Sequence, residues 1–311
     1  MQINFDVMDV QDEMRFDKVF IQKHDDNIFK DAHLQLNILR LDKIHPVVSG
    51  NKWFKLKYYL QQAKENNHDL IATFGGAFSN HILATAYACN KQNIKCIGYI
   101  RGEKPKNFSE TLSDAQALNM QLEFLSRTDY VKKEIIINPN TSAFIIPEGG
   151  YGEAGAKGAA EILQLVPNIS IYNYIVCAAG TGTMLAGISN ASMPHQYCIG
   201  ISVMKNNISL QNETLALIKN EAKNRIRIFH DYHFDGYAKY TQPLIDFMNR
   251  IYTTHNLPLD FVYTAKALYA VYHLAENKYF MPGSNILFIH SGGLQGNRSL
   301  PKGSYSNSKI I

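Results

Sequence analysis

A chain of 311 residues is long enough for two domains or one large α/β unit around a sizeable core. Hydrophobic content of 46% and charged content of 19% are those of a soluble globular protein. The 31 basic and 27 acidic residues leave a net charge of +4 with no long Lys/Arg run, which argues against a nucleic-acid partner.

Short apolar runs rich in Ile, Val, Tyr and Phe recur along the chain, each followed by small residues and then a helical pattern. Taken in order, the reading begins with a helix over 53–67, a strand over 70–74 (LIATF), a helix over 80–92 and a strand over 94–100. It continues with a helix over 108–119, strands over 121–125 and 143–147, and a helix over 153–166. A strand over 174–178 (YIVCA), a helix over 183–192, a strand over 197–203 and a helix over 208–223 follow. Helices over 241–255 and 262–279 and a strand over 285–290 (NILFIH) complete it. Strand and helix alternate and the strands are continuously apolar, so the expected fold class is α/β, with mostly parallel sheets covered by helices on both faces.

No apolar run approaches the roughly 20 residues that span a bilayer. The opening MQINFDVMDVQDEMRF is studded with acids and does not read as a signal peptide. Cys89, Cys96, Cys177 and Cys198 form no C-x-x-C pair and have no metal-ligand spacing, so a reducing, cytoplasmic compartment and no metal are expected.

Four strand-to-helix loops are rich in small residues: FGGAFSNH (74–81), PEGGYGEAGAKG (147–158), AAGTGTMLAG (178–187) and HSGGLQG (290–296). In an open α/β sheet, ligands bind beyond the carboxyl ends of the strands, where such loops gather. AAGTGT opens a helix, so its N–H groups and the hydroxyls of Thr181 and Thr183 suit a phosphate. Gly180-x-Gly182-x4-Gly187 is not G-x-G-x-x-G, and no G-x-x-x-x-G-K-[ST] occurs, so dinucleotide and P-loop sites are set aside. Ser79 and Asn80 are favoured helix caps, and the same helix start suits a carboxylate. Lys52 lies in SGNKWF, beside Gly50, Asn51 and the apolar Trp53 and Phe54. A lysine partly removed from water loses proton affinity and becomes an amine nucleophile or base. An amine, a phosphate loop and a carboxylate-sized anion site together suggest pyridoxal 5′-phosphate acting on an amino acid.

These residues resemble, in order along nearly the whole chain, those of the pyridoxal-phosphate enzymes of the 1-aminocyclopropane-1-carboxylate (ACC) deaminase and D-cysteine desulfhydrase family. The motifs are SGNKWFKLKY (49–58), GGAFSNH (75–81), PEGGYGEAGAKG (147–158), CAAGTGTMLAG (177–187), VYTAKA (262–267) and HSGG (290–293). The resemblance implies a tryptophan-synthase-β-like fold of two α/β domains with the cofactor between them. Residues 1–55 and 165–311 would form the larger domain and 56–164 an inserted smaller one. It also implies a homodimer, a small amino-acid substrate and no membrane partner.

By matching position, Lys52 is the lysine that bonds the cofactor aldehyde as a Schiff base, and Lys55 reaches its phosphate. Ala179, Gly180, Thr181, Gly182 and Thr183 match the phosphate loop. Ser79, Asn80 and His81 match the segment that holds the substrate carboxylate, with Asn80 also beside the cofactor's phenolic oxygen and Gly150 and Tyr151 also on the substrate side. Tyr263 matches a family tyrosine, and Tyr237, 26 positions before it, a second. Four positions depart from the family pattern. An arginine and a glutamate are replaced by Phe54 and Lys57, and a glutamine by Phe78. Thr264 stands where ACC deaminases carry the glutamate that faces the pyridine nitrogen, which leaves Thr264 and Ser291 as the groups near that atom. The implied activity is β-elimination from a D-cysteine-like amino acid. ACC deamination to 2-oxobutyrate and a non-catalytic cofactor-binding role are the alternatives.

Overall fold

A computed structural model describes residues 10–132 and 143–307. In chain order its strands are β1 (Ile21–His24), β2 (Gln35–Leu39), β3 (Leu70–Gly75), β4 (Lys95–Arg101), β5 (Met120–Leu125), β6 (Phe144–Ile146), β7 (Tyr174–Ala179), β8 (Tyr197–Ser202), β9 (Ile226–Phe229) and β10 (Asn285–Ile289). They form two sheets. One has the order β1-β2-β10-β7-β8-β9 and the other β5-β4-β3-β6. Every pairing is parallel except β1 against β2, where Ile21 faces Leu39 and His24 faces Leu36. The family-type α/β class is therefore present, and the smaller sheet falls wholly within residues 70–146.

The helices are α1 (Asn27–Asp31), α2 (Asn51–Glu65), α3 (Asn80–Lys91), α4 (Glu110–Ala117), α5 (Arg127–Val131), α6 (Glu153–Ala160), α7 (Thr183–Ala191), α8 (Leu210–Ala216), α9 (Gln242–His255) and α10 (Thr264–Glu276). None is long and apolar enough to cross a membrane. Side chains along a strand alternate between faces, and β10 shows why its run is continuously apolar. Ile286 and Phe288 enter a core with Leu244, Met248, Leu268 and Val271 of α9 and α10. Leu287 and Ile289 enter the opposite core, with Leu185 and Ile188 of α7. That second core runs on through Trp53, Leu56 and Leu60 of α2 to Ile71, Ile100 and Ile146 of the smaller sheet.

Two helices expected from the sequence are shorter than their patterns. The one over 153–166 becomes 3-10 at Glu161–Leu165, and the one over 208–223 stops at Ala216 before a separate 3-10 segment, Asn220–Arg225. Leu217 caps the regular helix, and Lys219, in extended backbone, separates it from the 3-10 segment. Strands β1, β2 and β9 and the five-residue helices α1 and α5 were not read from the sequence. β1 (IQKH) is an edge strand with only His24 buried, so it lacks the apolar run that marks the others. All four cysteines are buried and form no disulfide.

Candidate active site

The four small-residue loops converge on one cavity of about 790 Å³, beyond the carboxyl ends of β3, β6, β7 and β10. Its lining includes Lys52, Lys55, Ser79, Asn80, His81, Tyr237, Tyr263 and Ser291, together with the loop from Ala179 to Thr183. The turn that presents Lys52 is set by Gly50. Its φ is +61°, and a Cβ there would lie 1.9 Å from the Ser291 carbonyl oxygen, so only glycine fits. The Asn51 N–H donates to that same carbonyl at 3.3 Å, tying the start of α2 to the loop after β10.

Lys52 Nζ donates to Asn51 Oδ1 at 2.5 Å and stands 5.8 Å from the centroid of the Tyr263 ring. Burial lowers its pKa to about 8, against a smaller opposing pull from Asp260. One turn along α2, Lys55 is buried, and burial and the nearby Lys52 charge hold its pKa well below 10.5. Two amines, neither bonded to a carboxylate among the described residues, make this end of the cavity an anion site.

The residues around Lys55 fit a phosphate. A Cβ on Gly149 would come within 2.9 Å of Thr181 Cγ2 and 3.7 Å of Lys55 Nζ, so glycine keeps a cradle open between them. The hydroxyls of Thr181 and Thr183 lie 2.9 Å apart at the start of α7, where free N–H groups and the helix dipole favour an anion.

Ser79 is the N-cap of α3, its Oγ accepting from the Ile82 N–H at 3.4 Å. Asn80 Oδ1 accepts from Gln295 Nε2 at 2.8 Å, which couples α3 to the chain beyond β10. The protonation of His81 follows from its neighbour. The Thr73 hydroxyl donates to the Ile146 carbonyl at 2.8 Å, so the 2.9 Å contact with His81 Nε2 requires that nitrogen to carry the hydrogen. Burial and the two lysines hold the ring neutral, leaving Nδ1 a bare acceptor.

Tyr237 and Tyr263 meet edge to face with centroids 6.4 Å apart. Burial raises both pKa values, so both remain protonated at neutral pH.

Three residues expected at the site stand elsewhere. Thr264 does not line the cavity. Its Oγ1 accepts from the Asp260 N–H at 2.8 Å and donates to Asp260 Oδ1 at 2.7 Å, so its hydroxyl is already engaged. Gly150 and Tyr151 also lie off the lining, and Tyr151 donates to the Glu213 carbonyl at 3.1 Å. Glu148 and Gly149 take that wall instead. Asp260 is the residue that sequence reading missed. It is fully buried and accepts from the N–H groups of Val262, Tyr263 and Thr264, so it fixes the backbone that carries Tyr263. An aspartate just ahead of a helix start is the signal that would have found it.

Residues 28–292 match the family described as pyridoxal-phosphate dependent enzyme. A protein of Thermotoga maritima, provisionally named 1-aminocyclopropane-1-carboxylate deaminase, is 30% identical over 280 residues, covering 83% of this chain and 88% of that one. A D-cysteine desulfhydrase of Salmonella choleraesuis is 26% identical over 281 residues, 82% of this chain and 86% of that one. A solved structure described as an ACC deaminase homologue superposes with a TM-score of 0.77 at 27% identity, over 90% of each chain. The chain belongs to the pyridoxal-phosphate dependent enzymes, in the group that holds the ACC deaminases and D-cysteine desulfhydrases.

Proposed function

We propose that the protein catalyses β-elimination from a small amino acid of the D-cysteine type, giving pyruvate, ammonia and sulfide. The observation that carries this reading is Ser291, which of the two groups expected near the ring nitrogen is the one that lines the cavity, and which offers a hydroxyl and no carboxylate. An acid facing the cofactor's ring nitrogen would keep it protonated and deepen the electron sink that ring opening of ACC demands. Thr264 supplies no acid, and its hydroxyl is held by Asp260.

When bound, pyridoxal phosphate supplies an electron sink for the pair left on Cα as its proton departs. Lys52 is the residue we assign to the aldehyde, and Lys55, Thr181 and Thr183 to the phosphate. The start of α3 at Ser79 and Asn80 holds the substrate carboxylate through its unpaired N–H groups. With a pKa near 8, the Lys52 amine takes the α-proton at neutral to mildly basic pH. The Cβ–S bond then breaks, and the Tyr263 hydroxyl, with the Tyr237 ring packed edge to face against it, donates a proton to the leaving sulfur. Hydrolysis of the resulting 2-aminoacrylate yields pyruvate and ammonia.

ACC deamination is the second reading, favoured by the name of the Thermotoga maritima relative and by the superposition on the ACC deaminase homologue. Incubating the cofactor-loaded protein separately with D-cysteine, L-cysteine and ACC, and identifying the keto acid by mass spectrometry, decides between them. Pyruvate with sulfide from D-cysteine is expected. 2-Oxobutyrate from ACC, with no pyruvate from either cysteine, would sink the elimination reading.

A further inference from the structure

We propose that His24, Asp26 and His255 form a site for a divalent transition-metal cation, with zinc(II) as the ion best matched to two imidazoles and a carboxylate. One ligand atom from each of the three lies within 4.8 Å of the others. His24 ends β1, Asp26 caps α1 and His255 ends α9, so three separate elements bring the donors together. His24 pairs with Leu36, and Leu36 with Ile286, near the amino ends of β2 and β10. The cluster therefore sits at the opposite end of the sheet from the cofactor cavity.

Hydrogen bonding fixes the His24 tautomer. The Tyr272 hydroxyl donates to Asp26 Oδ2 at 2.9 Å, so His24 Nε2, 2.5 Å from the Tyr272 hydroxyl oxygen, carries its hydrogen and donates to that hydroxyl. His24 Nδ1 is then a lone pair, buried and without a partner, on a residue only 2% exposed. His255 Nε2 is likewise buried and without a hydrogen bond, 3.5 Å from Asp26 Oδ2. An unpaired buried nitrogen is costly, and two in one cluster next to a carboxylate call for a shared partner. His24 also has the support that metal-binding imidazoles carry, its second nitrogen donating through Tyr272 to a carboxylate. Burial keeps its ring neutral, with a pKa lowered to about 3.

Arg250 is the competing cation. Its Nη1 lies 3.1 Å from Asp26 Oδ2 and its guanidinium packs over the Phe247 and Tyr272 rings, but its side chain is 48% exposed, so it competes from the solvent side. The side chains of His255 and Asp26 are 10% and 17% exposed, which gives an ion an entry path. A water would complete a tetrahedral three-ligand site.

The test is calorimetric titration of zinc chloride into chelator-treated, cofactor-loaded protein, for wild type, His255→Gln and Asp26→Asn. One saturable site per chain is expected in the wild type, weakened by about 10-fold or more in both variants. Amino-acid turnover should be unchanged in all three proteins. Asparagine caps α1 as aspartate does, so Asp26→Asn keeps the test valid should His255→Gln fail to fold. Absence of saturable binding, or equal binding by wild type and the folded variants, would overturn the site.

Discussion

Burial in the cavity lowers the Lys52 pKa to about 8 from the ordinary lysine value of 10.5. Without cofactor, the folded chain at this position binds fewer protons than the unfolded chain between those two values. Stability therefore rises with pH across that window and is lowest, as far as Lys52 is concerned, below pH 8. Cofactor-free Lys52→Met should be more stable to urea than wild type at pH 7, with the gap closing as pH rises from 8 to 10.5. A gap that stays constant with pH would contradict a buried, charge-strained amine. Thr264 raises a different question. Read from the sequence, it faces the cofactor ring; in the fold its hydroxyl both accepts from and donates to Asp260. Thr264→Val should then cost about 1–3 kcal/mol of stability by leaving the Asp260 N–H unpaired and Oδ1 short of a donor. The absorption spectrum of the bound cofactor should stay unchanged. A shifted spectrum at unaltered stability would restore the sequence-based placement.

Among the elements, α2 carries the chemistry and α6 holds it in place. A Cβ on Gly158 of α6 would fall 1.7 Å from the Phe54 carbonyl oxygen of α2, so Gly158→Ala must push the two helices apart. A loss of about 1–3 kcal/mol is expected from such overpacking, measured as a lower urea midpoint. Weaker cofactor retention should accompany it, because Lys52 and Lys55 ride on α2. The departures at 54 and 57 are compatible with this arrangement. Phe54 is buried edge to face against Phe16, and Lys57 is paired with Glu161, which also accepts from the Tyr58 hydroxyl at 2.5 Å. Elements whose two faces are both buried, such as β7 and β10, were legible because their apolar runs are unbroken. β1, with one buried residue, and the four-residue β9 carry no such signal, and their place is fixed by pairing with β2 and β8. The site loops were legible because close backbone approach leaves a mark in glycine. Side-chain direction leaves none: Thr264 turns to a partner four residues away, and Tyr151 reaches across to the Glu213 carbonyl.

At the scale of the molecule, two mostly parallel sheets point the ends of β3, β6, β7 and β10 at one cavity, and α2 spans the core common to both. Two buried amines face that cavity with distinct assignments, Lys52 to the cofactor aldehyde and Lys55 to its phosphate. Reduction of the cofactor-loaded protein with borohydride, followed by peptide mapping, tests this division directly. The expected result is a pyridoxyl group on the peptide containing Lys52 and on no other, with the label lost in Lys52→Ala. Label on Lys55 in the wild-type protein, or on neither lysine, would contradict the assignment on which the proposed chemistry rests.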